Sequence, residues 1–158
     1  MNLLKSLVVV LLLKLITPEL NAQNVVQIIQ NNNIEEFTKL IEKDSTLITF
    51  RNQQENSALH IAAFFGRNEM VSMLLEKGIE INTLNNLQRS ALIFAIANKH
   101  KETIDLLIKN GISIHAMDNE QRTPLHWCAI QGNTEIAEML IKHGANIHET
   151  DSELKTPL

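Results

Sequence analysis

Ser57 stands three residues before His60, and Thr123 stands three residues before His126. A hydroxyl beside an imidazole is half of a nucleophile–base pair. Covalent catalysis would also need a group to orient the imidazole and donors to hold a developing oxyanion. Neither accompanies these pairs, so no catalytic residue is assigned and the chain is read as a non-enzyme. Cys128 follows His126 by two residues but falls at a small, inward position, where a thiol behaves as a small hydrophobe. Asn82, His115 and His148 recur at an interval of 33. Stacked units would hold them roughly 10 Å apart, the spacing of packed helices. Zinc needs its nitrogen ligands about 2 Å from one ion, so no metal site and no cofactor are expected.

The 158 residues suffice for one domain. They are 44% hydrophobic but only 4% aromatic, so a core must be assembled from Leu, Ile, Val and Ala. A net charge of −4 without a basic stripe excludes strong attraction to a phosphate backbone, and no nucleic-acid partner is expected. The single cysteine cannot form an intramolecular disulfide.

Residues 1–22 differ in character from the rest of the chain. Lys5 precedes an apolar run from Leu7 to Leu13, Pro18 ends any helix, and Leu20-Asn21-Ala22 offers a small residue for cleavage. That order is the layout of a secretory signal peptide. The run is too short, and Lys14 too charged, for a span of about 20 apolar residues, so no stable membrane insertion is expected after cleavage. A working leader implies a secreted or periplasmic protein; without it the protein would be cytoplasmic.

The elements that position the histidines recur. Ser57-Ala58-Leu59-His60, Ser90-Ala91-Leu92-Ile93, Thr123-Pro124-Leu125-His126 and Thr156-Pro157-Leu158 begin at successive intervals of 33. Gly78, Gly111 and Gly144 keep the same beat, and Gly66 and Gly132 lie two periods apart. Ser or Thr at a helix start accepts a bond from an orphaned N–H, and proline next to it has a helical φ already set. Apolar residues at Met70, Val71, Leu74 and Leu75, then Ile104, Leu107 and Ile108, then Ile136, Ala137, Leu140 and Ile141 predict a second helix in each unit. Alternation at Ile79 and Ile81, and at Ile112 and Ile114, predicts an extended, hairpin-like connector.

A 33-residue helix–turn–helix–hairpin unit opening on Thr-Pro-Leu-His resembles the ankyrin repeat. The resemblance covers residues 24–158 and implies an all-α solenoid of stacked helix–turn–helix units with β-hairpin-like connectors. It also implies that the Thr–His pairs are structural hydrogen-bond networks. The units are assigned as a degenerate N-terminal capping repeat over 23–51, repeats over 52–84, 85–117 and 118–150, and the start of a truncated repeat at 151–158. Glu36 and Lys39 give the first unit the polar outer helix of a cap. Lys99 replaces the turn glycine, which predicts a strained or altered turn. Glu55, Gln88, Gln121 and Leu154 replace the family's hairpin glycine, which predicts altered hairpin tips. Trp127, Leu140 and Ile141 are expected on an end of the stack left open, through which the chain could associate.

In ankyrin proteins, partners usually meet the hairpin tips and first helices on the concave side. By register, the expected contacts are Asn56, Phe64, Phe65, Arg89, Asn98, Met117, Arg122 and Gln131. The implied function is protein–protein interaction with a protein partner; the alternative is a spacer or fragment of a longer array without its own ligand.

Overall fold

A computed structural model describes residues 22–43 and 46–158. The leader read over residues 1–22 lies, Ala22 apart, outside the described residues, as does Asp44. Every regular element among them is a helix: α1 (Ala22–Gln30), α2 (Ile34–Lys43), α3 (Thr46–Thr49), α4 (Ala58–Phe64), α5 (Asn68–Glu76), α6 (Ala91–Ala97), α7 (Lys101–Lys109), α8 (Pro124–Ile130) and α9 (Thr134–Lys142). The first helices of the units pack in sequence, α1 on α4, α4 on α6 and α6 on α8. Each carries its own second helix, and α2, α5 and α7 form a second row behind them.

Seven-residue helices such as α4, α6 and α8 are far below the ~12–15 residues at which isolated helices become even marginal in water. Packing must hold them. Ala58, Leu59, Ala62 and Ala63 of α4 and Ala91, Leu92, Ala95 and Ile96 of α6 are buried, and the alanines let the backbones approach. Met70, Val71, Leu74, Ile104, Leu107, Ile136 and Leu140 close the core from the second row. Ala129 is exposed, whereas its counterpart two repeats earlier, Ala63, is buried where α4 packs on α6.

The connectors contain no strand among the described residues. Each tip is a turn: the backbone carbonyls of Asn52, Asn85, Asp118 and Asp151 accept the N–H of Glu55, Gln88, Gln121 and Leu154, at 2.9–3.0 Å. Neighbouring tips are tied by single backbone bonds, Asn86 N–H to the Gln54 carbonyl, Asn119 to Leu87 and Ser152 to Glu120. The absent hairpin glycines do not alter this geometry. Glu55, Gln88, Gln121 and Leu154 all adopt φ of 57–62°. The cause is the side chain three residues earlier: the Oδ1 atoms of Asn52, Asn85, Asp118 and Asp151 each accept two backbone N–H groups, at 2.9–3.0 Å. Such Asx turns hold a tip that would otherwise favour glycine.

Lys99 likewise keeps the turn rather than altering it. Its φ of 59° lies beside 54° at Asn32, 65° at Gly66 and 62° at Gly132. The helix-closing bonds also keep their form: Lys99 N–H to the Ile96 carbonyl and His100 N–H to that of Ala95 match Gly66 to Ala63 and Arg67 to Ala62. The left-handed strain expected at lysine remains, at roughly 1–2 kcal/mol.

Gly66 is held for a second reason. A Cβ built there would meet His100 Nδ1 at 2.6 Å, whereas one at Gly132 meets nothing within 4 Å. The His100 ring lies over Gly66 and donates from Nε2 to the Phe64 carbonyl at 3.0 Å. Gly132→Ala is expected to cost about 1 kcal/mol, the left-handed penalty alone. Gly66→Ala should cost about 2 kcal/mol, because it also displaces that hydrogen bond. Urea denaturation of the two variants checks the difference; equal losses would count against the His100 contact.

Candidate functional site

The start of α4 builds the first part of the site. Ser57 caps the helix, and its backbone N–H and its hydroxyl both lie on His60 Nδ1, at 3.2 and 2.7 Å. Nδ1 is therefore the acceptor, and Nε2 carries the proton that it donates to the Arg89 carbonyl at 2.9 Å. Thr123 and His126 repeat the arrangement at α8, with Nε2 donating to the Lys155 carbonyl at 3.1 Å. Each imidazole thus ties a helix start to the next hairpin. Both ring nitrogens are committed to structure, and neither hydroxyl is presented to solvent. At α6, Ile93 replaces the histidine and Ser90 Oγ is left buried without a partner.

Burial pushes the His60 imidazole down to about 4, helped by the positive charge of Arg51 and opposed by the Arg89 carbonyl. The ring is neutral at neutral pH. Burial also raises the Cys128 thiol to about 12, which keeps it protonated and unreactive.

The Arg89 backbone, fixed by His60, sends its side chain across the face of the first helices. The guanidinium stacks on Trp127, 4.6 Å from the ring centroid. Asp118 holds that indole by its edge, accepting its Nε1–H at 3.1 Å. Phe94 meets the His60 ring edge-on at 5.5 Å and lies 6.2 Å from Phe64. Between them opens a recess of about 140 Å³, walled by Phe64, Ile93, Phe94, Ala97 and Trp127 with Arg89 and Asn98 beside them. Asn98 is fixed there by a bond from Nδ2 to the Phe94 carbonyl at 2.9 Å.

Of the residues read from register, Phe64, Arg89 and Asn98 come together at this recess. Asn56 instead accepts from Asn85 Nδ2 at 2.8 Å, locking two hairpins. Phe65 packs against the core and meets Phe64 edge-on at 4.9 Å. Met117 is exposed but does not line the recess, and Gln131 caps the end of α8. Arg122 pairs with Glu120 at 2.7 Å and stands 4.0 Å from Asp151.

Trp127, expected at the open end, faces the recess instead, because its indole N–H is drawn to Asp118. Phe94 and Asp118 were not singled out in the sequence, and Ile93 was read only as a member of the repeat motif. The signal was present: Ile61, Phe94 and Trp127 share one place in the 33-residue register, as do Asn52, Asn85, Asp118 and Asp151.

Two rows of short helices, repeated at 33 residues and tied by hairpin tips, define a helical repeat solenoid. The family model for ankyrin repeats (three copies) matches residues 4–85 and 80–151, and the chain belongs to the ankyrin-repeat family. The first match begins inside the segment read as a leader. A comparison with curated proteins gave no match. Ankyrin repeats generally mediate protein–protein interaction and are typically non-enzymatic. No helix among the described residues is long and apolar enough to cross a membrane.

Proposed function

We propose that the protein binds a partner protein through the face formed by its hairpin tips and first helices, in units bounded at 52–84, 85–117 and 118–150. The observation carrying this reading is the aromatic recess. Phe64 is 41% exposed there, although the chain has only five Phe and one Trp to distribute. Aromatic residues and arginine at a recessed, preorganised position are the usual anchors of an interface. Residues 1–22 are proposed as an export signal, which would put the partner outside the cytoplasm.

Immobilised full-length protein, exposed to extract or secretion from its source, should retain a specific partner. The Arg89→Ala, Arg122→Ala double variant and the Ala97→Phe variant, which fills the recess, should each reduce retention about tenfold or more. Undiminished retention by both would remove this face from consideration. N-terminal sequencing of the native protein tests the leader: an N-terminus retained at Met1 would refute cleavage.

A second reading, a spacer within a longer array, is supported by the last described repeat. Ile141 and Ile147 are 39% and 37% exposed, while their counterparts Ile108 and Ile114 are more covered. Failure of the immobilised protein to retain any specific partner would favour it.

A further inference from the structure

The joints between units are not built alike. The 52–84 and 85–117 units are locked by directional bonds. His60 Nε2 donates to the Arg89 carbonyl at 2.9 Å, His100 Nε2 to the Phe64 carbonyl at 3.0 Å, and Thr103 Oγ1 to Asn68 Oδ1 at 2.6 Å. Asn85 Nδ2 donates to Asn56 Oδ1 at 2.8 Å, and Asn82 Oδ1 accepts the Ser113 N–H at 2.7 Å.

One period later each of these ties has lost a member. Ile93 stands in place of His60, Asn133 in place of His100, Ile136 in place of Thr103 and His115 in place of Asn82. Isoleucine offers no donor or acceptor, so Ser90 Oγ stays buried without a partner and the Arg122 carbonyl keeps only the Asp118 N–H. Asn133 turns back on its own helix, accepting the Ile136 N–H at 3.2 Å. Lys99 bars an imidazole there: a Cβ on Gly66 would meet His100 Nδ1 at 2.6 Å, and Lys99 carries a Cβ at the equivalent place. Arg89 and Asp118, which replace Asn56 and Asn85, approach only to 3.6 Å, outside hydrogen-bond reach.

What crosses this second joint is different in kind. The Asn119 N–H and Nδ2 reach the Leu87 and Asn86 carbonyls at 3.1 and 3.3 Å, Arg89 stacks on Trp127, and Lys101 pairs with Glu135 at an exposed site. Packing of α6 on α8 supplies the rest. Behind them α9 packs on α8 but barely on α7, and a cleft of about 300 Å³ opens beside Lys101, Glu135 and Met139. Apolar contact is non-directional, and an exposed ion pair contributes little. On either side the ties resume: Arg67 donates to the Ile29 and Gln30 carbonyls, and His126 to that of Lys155.

We propose that the stack is two cooperative bodies, residues 22–117 and 118–158, and that the second detaches at the joint between α6 and α8 well before the first unfolds. A repeat stack is held by unit and nearest-neighbour terms, so it parts at its weakest interface. The recess straddles that joint: Phe64, Phe94 and Ala97 belong to the first body and Trp127 to the second. Opening therefore dismantles the recess and switches off the face that contains it. This consequence, unlike the joint, rests on the reading of that face as an interaction surface.

Trp127 is the only tryptophan in the chain and stands on the second body, so its emission in urea reports the joint, while far-UV ellipticity reports the helices of both. In full-length protein the emission change should come at lower urea than the main loss of ellipticity. Amide hydrogens of α8 and α9 should exchange about tenfold or more faster than those of α6 and α7. A terminal position alone would give part of that difference, so two variants move the ties. His60→Ile gives the first joint the residue of the second: exchange in α6 and α7 should rise about tenfold, with α1 and α2 little changed. Ile93→His sets an imidazole between the Ser90 hydroxyl and the Arg122 carbonyl, and should slow α8 and α9 about tenfold and draw the two urea transitions together. Coincident transitions in the unaltered protein would overturn the proposal, as would a uniform rise, or none, in His60→Ile. If Ile93→His does not fold, the unaltered protein and His60→Ile decide. None of these measurements uses a partner, so their failure leaves the interaction face standing, and failure of partner retention leaves the joint standing.

Discussion

Replacing His60 by alanine is expected to lower the unfolding free energy by about 4 kcal/mol at pH 7.5, and by only about 1 kcal/mol near pH 4. The loss at pH 7.5 reflects what the ring does. It accepts from the Ser57 N–H and hydroxyl and donates to the Arg89 carbonyl, all at a site 1% exposed. Alanine leaves the buried Ser57 N–H and hydroxyl without their acceptor, each costing about 1–3 kcal/mol, removes one of the two N–H groups on the Arg89 carbonyl, which keeps that of Asn85, and opens a void beside Phe94. The smaller loss in acid reflects the ring's titration. Its folded value of about 4 lies below the ordinary 6.5, so the unfolded chain binds the proton more readily. A histidine with a depressed folded value contributes its stability fully above pH 6.5 and loses it as pH falls toward 4. That loss is about 3 kcal/mol. The unaltered protein should therefore lose its advantage over the variant across that window. Guanidinium denaturation at half-unit pH intervals measures the gap, and parallel curves would show that the ring is not held neutral. Ser90→Ala supplies the contrast: its hydroxyl already lacks a partner beside Ile93, so little should change.

The same residues show what a linear sequence can reveal. The 33-residue beat of Ser57, Ser90 and Thr123 carries the helix starts, the turn positions and the stacking of rows, because each depends on a local backbone requirement. Side-chain direction was less legible. Helical periodicity places Trp127 on the flank of a short helix, but that flank borders both a hairpin and the end of the stack. The choice is made by Asp118, nine residues earlier, through an indole hydrogen bond that no period encodes. Asn56 and Phe65 fell at surface places by register, yet a cross-hairpin amide bond and core packing draw them into the scaffold. The hairpin glycines illustrate the converse. Their absence reads as a disturbance until the Asx side chain three residues before each substitute is seen to impose the same turn.

Asp118→Ala is expected to destabilise the protein by about 4 kcal/mol, and Asp118→Asn by only about 1–2 kcal/mol. The carboxylate, 1% exposed, performs two separable tasks. Oδ1 accepts the Glu120 and Arg122 N–H groups and so holds Gln121 at a φ of 57°. Asn85 shows that an amide oxygen suffices for this task, since it accepts the Leu87 and Arg89 N–H groups in the same way. The other Asn85 atom, Nδ2, has an acceptor to meet, Asn56 Oδ1 at 2.8 Å. At position 118 the partner is instead the Trp127 N–H, a donor only. An amide nitrogen facing that indole places two donors together, so asparagine preserves the turn and loses the tryptophan contact. Alanine loses both, and Arg89 loses its nearest anion as well. Urea denaturation gives the two stabilities, while Trp127 emission separates the tasks: it should shift in both variants, although only alanine should cause the larger loss. Equal destabilisation by the two would mean that the indole bond, rather than the hairpin turn, carries most of the energy at this position.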